Sequence, residues 1–370
     1  MRPFSFAALL AALFLVAAGS DAQPPAKKED PKAKADPKAK AKAEAEPKLN
    51  MKMKTKDIRM GVTVLGPKVT ADDLLGKAVL VDYWGIACGP CLAAMPHTAD
   101  LNAELEGFGL MILGSHVQDG EADKVRAVAL SHKANFPISI QTRVAGADDN
   151  HSIPHCLLFD HTGTCVFRGL PTEVEPIVRK AVGAALVAGA GREKWTPSLE
   201  PILKDLKAGK PPATILPRVA GLRNAAGDVG EDAKALLASM TAVGRKKFEE
   251  ATEKKSSDPL EAFLLIEKVP AAYKGSPLAA EATELLNKLK AEKSVRAELA
   301  ARPALENVKK IDQQLGLGAQ DPRKPEWQKA NKEPLKQLKT KVEQMKKAWP
   351  EAKSTQDAVA IAERYQVDLK

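Results

Sequence analysis

The pattern of apolar and polar positions divides the chain into two parts. From Asp57 to about Val187, short apolar runs that predict strands alternate with stretches of helical periodicity. The predicted elements are a strand at Ala78–Trp84, a helix with Leu92, Met95, Leu101 and Leu105 on its apolar face, a strand at Leu110–Leu113, a helix at Ala122–His132, a hairpin of Cys156–Phe159 with Cys165–Arg168, and a closing helix from Thr172. This alternation predicts an α/β sandwich.

The second part, beyond Gly191, shows helical patterns and no further strand signal. Its helices begin at a capping residue followed by proline, as at Thr196-Pro197, Asp258-Pro259 and Ser276-Pro277. Apolar positions between residues 260 and 289 indicate a helical hairpin, whose order of elements residues 345–365 repeat more weakly. This order resembles tetratricopeptide-like units, and a generic helical bundle is the alternative. We predict an all-α domain over residues 191–370.

The amino terminus carries the pattern of an export signal. Arg2 precedes an apolar run from Phe6 to Ala18, and Ser20 and Ala22 then place small residues where a signal peptidase reads them. The run is shorter than the roughly 20 residues that span a bilayer. We therefore predict a cleaved signal peptide at residues 1–22 and a mature protein that is soluble in the periplasm or cell envelope, without a membrane span.

The composition places the excess positive charge in a linker. Residues 23–55 consist largely of Ala, Lys, Pro and acidic residues, so they offer no apolar face to offset the entropy cost of ordering. Much of the formal net charge of +9 lies there, and aromatic residues make up only 4% of the chain. Because nucleic-acid recognition needs a basic folded face or interleaved aromatic side chains, we expect no nucleic-acid partner.

Two of the four cysteines stand at a spacing that carries redox chemistry. Cys88-Gly89-Pro90-Cys91 follows Trp84 at the start of a predicted helix, Pro96 lies further along that helix, and Ile153-Pro154 precedes the last strand pair. Together these motifs resemble the thioredoxin superfamily, in particular its exported TlpA/ResA-like branch. The resemblance implies an α/β thioredoxin-like sandwich over residues 56–190, followed by the all-α helical domain.

The resemblance also implies a site for peptide substrates beside the cysteines. The Ile153–Pro154 peptide bond is expected to be cis, which presents the backbone of Ile153 as an edge that an extended substrate can pair with. The residues assigned to substrate binding on this basis are Trp84, Gly89, Pro90, Ile153 and Pro154.

Thiol chemistry gives the two cysteines different roles. A thiolate is the attacking species, and unpaired N–H groups and the helix dipole favour it at Cys88 in the first turn, so Cys88 is the predicted nucleophile. Cys91, one turn further in, is the resolving thiol that attacks the mixed disulfide. Asp82 matches the buried acid of cytoplasmic thioredoxins and could accept the proton of Cys91. The alternative for Asp82 is an acid exposed to water at a strand end.

Two positions depart from the family pattern. The residue before the first cysteine is usually Trp and is Ala87 here, which removes an apolar ring from the docking surface. The exported branch commonly places Glu three residues after the second cysteine, where this chain has Ala94. By the same resemblance, Gly89-Pro90 between the cysteines favours a reducing couple, although the dipeptide only biases the potential.

The other two cysteines lie on the predicted hairpin. With a turn centred near His161-Thr162, Cys156 and Cys165 are diagonal partners, which are usually too far apart for a disulfide. We therefore predict two buried free thiols. The histidines other than His155, including His116 at a predicted strand end, show no ligand spacing.

Three hypotheses about function follow. The first is an exported thiol-disulfide oxidoreductase that acts on disulfide-containing protein substrates in the reducing direction and is served by an upstream electron donor. The second is a redox-inactive adaptor that binds partners through its helical half, and it draws on Ala87 and Ala94. The third is a copper- or zinc-handling protein, which draws on His155 and Cys156 near the cysteine pair. We adopt the first, with no cofactor and no metal, and expect a protein partner on the helical domain.

Overall fold

The computed structural model describes residues 51–147, 152–316, 322 and 324–369. The predicted signal peptide at residues 1–22 and residues 23–50 of the predicted linker lie outside this part. Residues 49–370 cluster as one compact unit. Within the described ranges, no helix is long and apolar enough to cross a membrane.

Strands and helices alternate in the first part of the described chain, and only helices follow in the rest. The strands are β1 (Ile58–Arg59), β2 (Val62–Leu65), β3 (Ala78–Trp84), β4 (Leu110–His116), β5 (Ile138–Ile140), β6 (Arg143–Val144), β7 (His155–Phe159) and β8 (Cys165–Gly169). The helices are α1 (Gly89–Leu105), α2 (Ala122–Ser131), α3 (Glu175–Gly189), α4 (Glu200–Lys207), α5 (Pro212–Leu222), α6 (Asp228–Lys254), α7 (Pro259–Ile266), α8 (Val269–Ala272), α9 (Pro277–Leu289), α10 (Lys293–Leu315), α11 (Pro325–Ala330), α12 (Lys332–Ala348) and α13 (Lys353–Arg364).

A six-stranded sheet forms the centre of the first part. Its strand order is β2-β5-β4-β3-β7-β8. The three strands β3, β4 and β5 are parallel, whereas β2 pairs antiparallel with β5, β7 with β3, and β8 with β7. β1 and β6 form a separate antiparallel pair. The sheet, with its covering helices, is the thioredoxin-like α/β sandwich that the resemblance implied, and an all-α region follows it.

The strand β3 is buried along its whole length. Because successive side chains of a strand point to opposite faces, Leu80 and Trp84 enter a core cluster shared with α1, α2 and α3. Val81 and Tyr83 enter a second cluster, which the residues before β3 close from the other side. Burial on both faces explains why the sequence of β3 is a nearly continuous apolar run.

Residues 51–55, which the prediction assigns to the linker, pack against the described fold. Met53 is buried, and its carbonyl oxygen accepts a hydrogen bond from the N–H of Cys165 at 3.1 Å. The N–H of Thr55 donates to the carbonyl oxygen of Gly163 at 2.8 Å. Residues 51–55 therefore run along the β7–β8 hairpin, which satisfies their backbone groups.

Most of the predicted α/β elements are confirmed, with shifted ends. β4 continues past its predicted end at Leu113, and the closing helix α3 begins at Glu175 rather than Thr172. β2 and β5 were not predicted. They are short and only partly buried: β5 becomes a strand by pairing with β4, and β2 by pairing with β5 at one edge of the sheet.

Two of the three predicted capping residues cap a helix. The Asp258 carboxylate accepts from the N–H of Glu261 at 3.0 Å, and the Ser276 hydroxyl oxygen accepts from that of Ala279 at 3.4 Å. Thr196 opens a short 3-10 turn without capping it. The predicted helix after Asp258 is divided into α7 and α8, because Pro270 has no N–H to continue the ladder.

One hydrophobic core connects the sheet with the helices that follow it. The cluster that contains Trp84 continues through α3 to α9 and reaches Val295. Helices α10 to α13 enclose a different, third cluster, from Ala301 to Tyr365. At Gly183 in α3, a Cβ would overlap the carbonyl oxygen of Leu206 in α4, so only glycine permits this approach. The division into domains at 56–190 and 191–370 stays a prediction, since the core crosses that boundary.

Candidate active site

The two cysteines of the C-x-x-C motif form a disulfide at the amino-terminal end of α1. Cys88 is the N-cap residue of α1, and its Sγ accepts a hydrogen bond from the N–H of Cys91 at 3.3 Å. The sulfur therefore accepts from one of the N–H groups that have no carbonyl partner in the first turn of a helix. Both cysteines are buried, whereas Gly89 and Pro90 between them are exposed.

The Ile153–Pro154 peptide bond is cis, as the resemblance implied. It directly precedes β7, whose register places His155 opposite Tyr83 near the carboxyl end of β3. Ile153 is half-buried and packs against the core cluster that contains both active-site cysteines. The predicted substrate edge thus lies at the end of the sheet from which the loop to Cys88 departs.

Asp82 is buried on the helical side of the sheet. Only 6% of the residue is exposed, which excludes the alternative of a strand-end acid in water. Asp82 is two residues from both Leu80 and Trp84, so its side chain points to the same face of the sheet as theirs, which α1, α2 and α3 cover. Burial raises the pKa of Asp82 from 3.8 to about 7. The carboxyl is therefore poised to exchange a proton near neutral pH.

Trp84 lies beneath the active-site loop and not on an exposed surface. It is 1% exposed, and its ring meets that of His116 edge-on, with centroids 5.2 Å apart. The indole packs in the core cluster together with Cys88 and Cys91. This burial separates Trp84 from the other residues assigned to substrate binding.

Two side chains that the sequence analysis missed hold the loop before Cys88. The N–H of Ile86 donates to Nε2 of His116 at 3.3 Å, and the N–H of Ala87 donates to Oε1 of Gln118 at 2.9 Å. His116 was interpreted as an ordinary strand-end residue. The sequence carries no signal for this contact, which depends on the parallel pairing of Trp84 with His116.

The second cysteine pair is free and buried, as predicted, but its predicted geometry was wrong. Cys156 lies opposite Gly169, and Cys165 lies opposite Phe159 beside an irregularity in the ladder. The ladder shifts register between Leu158 and Phe159, so the two thiols enter different core clusters on opposite faces of the sheet. Burial raises the pKa of both thiols, and Asp82 adds to the effect at Cys156.

The residues behind the metal-handling hypothesis have other contacts. His155 stacks on Tyr83 with ring centroids 6.3 Å apart, and its Nε2 accepts from Nε of Arg168 at 3.2 Å. In the part of the chain that the structure describes, no group of three or more His, Cys, Asp or Glu side chains could hold a metal ion. His151 lies outside the described residues.

Several known proteins are similar to part of this chain. No protein-family model matches the chain. The thiol-disulfide oxidoreductase ResA of Bacillus cereus is 28% identical over 103 residues, which cover 27% of this chain and 59% of ResA. The thioredoxin-like protein YneN of Bacillus subtilis is 31% identical over 27% of this chain and 61% of its own length. The thiol-disulfide oxidoreductase YkuV of Bacillus subtilis is 29% identical over 27% of this chain and 71% of its own length.

Among solved structures, a thioredoxin-family thiol:disulfide interchange protein from Chlorobium tepidum is 20% identical and aligns with 37% of this chain and 99% of its own, at a TM-score of 0.31. This chain spans about 60% of the length of ResA and YneN, and the matched segments cover 27% of this chain. In its α/β fold, its C-x-x-C disulfide and its cis proline, the chain resembles the thioredoxin superfamily, in particular its TlpA/ResA-like members.

Proposed function

We propose that this protein is a thiol-disulfide oxidoreductase that exchanges the Cys88–Cys91 pair with disulfides of protein substrates, in the reducing direction. The observation that carries the proposal is the C-x-x-C disulfide at the start of α1, beside a cis proline and above a buried carboxyl. The ResA and YkuV relatives, which are named as thiol-disulfide oxidoreductases, support it.

Reduction of a substrate proceeds in two exchanges. The Cys88 thiolate attacks one sulfur of the substrate disulfide, which forms a mixed disulfide and releases the other sulfur as a thiolate that takes a proton from water. Cys91 then passes its proton to the Asp82 carboxylate and attacks Sγ of Cys88. The Cys88–Cys91 disulfide forms, the second substrate thiolate leaves, and two electrons have moved to the substrate. An upstream dithiol donor reverses these exchanges on the protein.

The substrate contacts divide between exposed backbone and buried support. Gly89 and Pro90 are exposed beside Cys88, so a substrate chain reaches the sulfur without a large side chain in its way. Ile153 and Pro154 supply the backbone edge before β7. We assign Trp84 a supporting role under the loop, since its ring is buried.

Catalysed reduction of insulin by the full chain, with dithiothreitol as the donor, tests the proposed activity. We expect the B chain to precipitate with a shorter lag than in dithiothreitol alone, because the thiolate at the start of α1 is a better nucleophile than the free dithiol. A chain alkylated at Cys88 is the control and has the lag of dithiothreitol alone. An unmodified chain with that same lag would contradict the proposal.

Export is a separate proposal that rests on the amino-terminal sequence. If the apolar run from Phe6 to Ala18 directs secretion, a signal peptidase removes it after Ala22. We expect mass spectrometry of the protein from its native host to find a new amino terminus near Gln23 in the periplasmic or envelope fraction. An intact Met1 in the cytoplasmic fraction would show that the run is not a cleaved signal.

We also propose that a protein partner binds the helical half. This does not depend on whether the helices form tetratricopeptide-like units. A groove of about 440 Å³ lies between α6 and α9, lined by Lys255, Glu281, Glu284, Lys288 and Glu292 among others. Its charged rim favours a polar partner. The adaptor hypothesis uses this half alone, so it predicts partner binding that survives loss of both active-site cysteines.

A further inference from the structure

The loop between β3 and α1 has backbone groups that the two elements themselves do not satisfy. The N–H of Cys88 closes a local turn onto the carbonyl oxygen of Gly85 at 3.0 Å. The N–H groups of Ile86 and Ala87 point instead to the end of β4, where Nε2 of His116 and Oε1 of Gln118 accept them. Two consecutive residues before the nucleophile are therefore held by side chains from one neighbouring strand end.

The sheet brings these acceptors into place. β3 and β4 are parallel with Trp84 opposite His116, and the N–H of Val117 extends the pairing by donating to the carbonyl oxygen of Trp84 at 3.0 Å. Both strands thus end at the same level, and the loop that leaves β3 crosses the residues that leave β4.

His116 accepts a hydrogen bond only while its ring is neutral at Nε2. The side chain is fully buried, and burial lowers the pKa of His116 although Asp119 acts in the opposite direction. The ring meets the indole of Trp84 edge-on and lies beside Gly120, and Asp119 is the charged group that acts on it. The imidazole is therefore neutral at neutral pH, with its proton on Nδ1.

This histidine does not pack as a purely stabilising residue would. Its buried Nδ1 has no hydrogen-bond partner in the described part of the chain, and an unpaired buried polar atom is costly. Gly85 shows a second accommodation: a Cβ there would overlap the side chain of Gln118. Nδ1 of His116 therefore lacks a hydrogen bond, and residue 85 beside Gln118 has no side chain. Both contacts to the loop are nevertheless present.

We propose that His116 and Gln118 are positioning residues of the dithiol: by holding the N–H groups of Ile86 and Ala87 they fix Cys88 at the end of α1, where the N–H of Cys91 donates to its sulfur. The inference rests on the proposed function in that Cys88 is the reacting thiol. A loop released from the two acceptors lets Sγ of Cys88 move away from the N–H of Cys91. The thiolate then loses a donor that stabilises it.

The test is the pH profile of iodoacetamide alkylation at Cys88 in the reduced full chain, read by peptide mass. We expect His116→Leu to move the midpoint to higher pH and to slow alkylation at pH 7 about threefold to tenfold. His116→Gln, which puts an amide oxygen near the position of Nε2, restores the rate to within about twofold. Gln118→Leu is the second variant and shifts the profile in the same direction.

Ser115→Ala is the matched control. It removes a buried hydrogen bond, from Oγ to the carbonyl oxygen of Thr142 at 2.7 Å, one residue away on the same strand. We expect it to lower the melting temperature without moving the Cys88 profile.

An unchanged profile in folded His116→Leu, or in Gln118→Leu if the first variant does not fold, overturns the inference. Because alkylation reports the thiol itself, a shifted profile in a chain that fails to reduce insulin would refute the proposed function and leave the positioning role standing.

Discussion

Replacing Asp82 with Asn raises the free energy of unfolding at pH 8 by up to about 4 kcal/mol and leaves it nearly unchanged at pH 4. Burial raises the pKa of Asp82 from 3.8 to about 7, so the native state holds this proton more tightly than the unfolded chain. The stability that the carboxyl contributes is fully present below pH 3.8 and is lost as the pH rises through about 7. The amide carries no charge and avoids this loss.

Urea unfolding of the oxidised protein at pH 4, 6 and 8 measures the difference. Asp100→Asn, at an exposed position on α1, is the control and stays within about 0.5 kcal/mol of the parent at each pH. Parallel stability curves for the parent and Asp82→Asn would show that the native carboxyl is not desolvated.

The same substitution slows the resolving step. Without a carboxylate to take the Cys91 proton, we expect attack on the mixed disulfide at pH 7.5 to fall about 10²-fold, within the range typical of general bases. Single-turnover reduction of a disulfide peptide across a pH series measures this rate, and Asp100→Asn again serves as the control. Superimposable profiles for the parent and Asp82→Asn would mean that Asp82 takes no part in proton transfer.

We expect the second large effect when either active-site cysteine is replaced by serine, and the two substitutions should impair different steps of the reaction. Cys88→Ser lowers the rate of insulin reduction more than about 10³-fold, because a hydroxyl is not ionised near neutral pH and cannot replace the thiolate. Cys91→Ser still makes the first attack and accumulates the mixed disulfide with insulin, since resolution is blocked. Non-reducing electrophoresis and peptide mass identify the adduct.

Cys165→Ala is the matched control for the cysteine variants. This thiol is buried on the face of the sheet away from the active site, so we expect the rate of insulin reduction to stay within about twofold of the parent. An adduct that accumulates in Cys88→Ser instead of Cys91→Ser would assign the nucleophile to Cys91. Binding of a partner by both variants with no adduct in either would favour the adaptor.

Local sequence was sufficient for the features that depend on neighbours along the chain. The apolar run of β3 followed by Cys88-Gly89-Pro90-Cys91 predicted a strand, a loop and a helix whose first turn carries the cysteines. Asp258 and Ser276 predicted two helix starts, because a capping side chain bonds to an N–H only three residues away. The family motif also predicted the cis bond before Pro154.

Pairing between distant segments was beyond the sequence pattern. β2 and β5 are too short to show a periodicity, and β2 becomes a strand by pairing with β5, which in turn pairs with β4. The register shift within the β7–β8 ladder decides which face each cysteine occupies, because a one-residue change of register reverses the side chains, and this placed Cys156 and Cys165 on opposite faces. The shared core across residues 56–190 and 191–370 likewise depends on helix contacts such as that of Gly183 with Leu206.

By itself, then, the sequence determined which atoms carry the redox chemistry and at which end of a helix they lie, since both follow from spacing along one strand, loop and helix. Only the tertiary structure decided the environment of those atoms. Whether Asp82 is solvated depends on the helices that pack on its face of the sheet, and whether His116 reaches the active-site loop depends on the parallel register of β3 and β4. Desolvation and through-space hydrogen bonds are set by segments far apart in the chain, and hydrophobic periodicity carries no information about which distant segments meet.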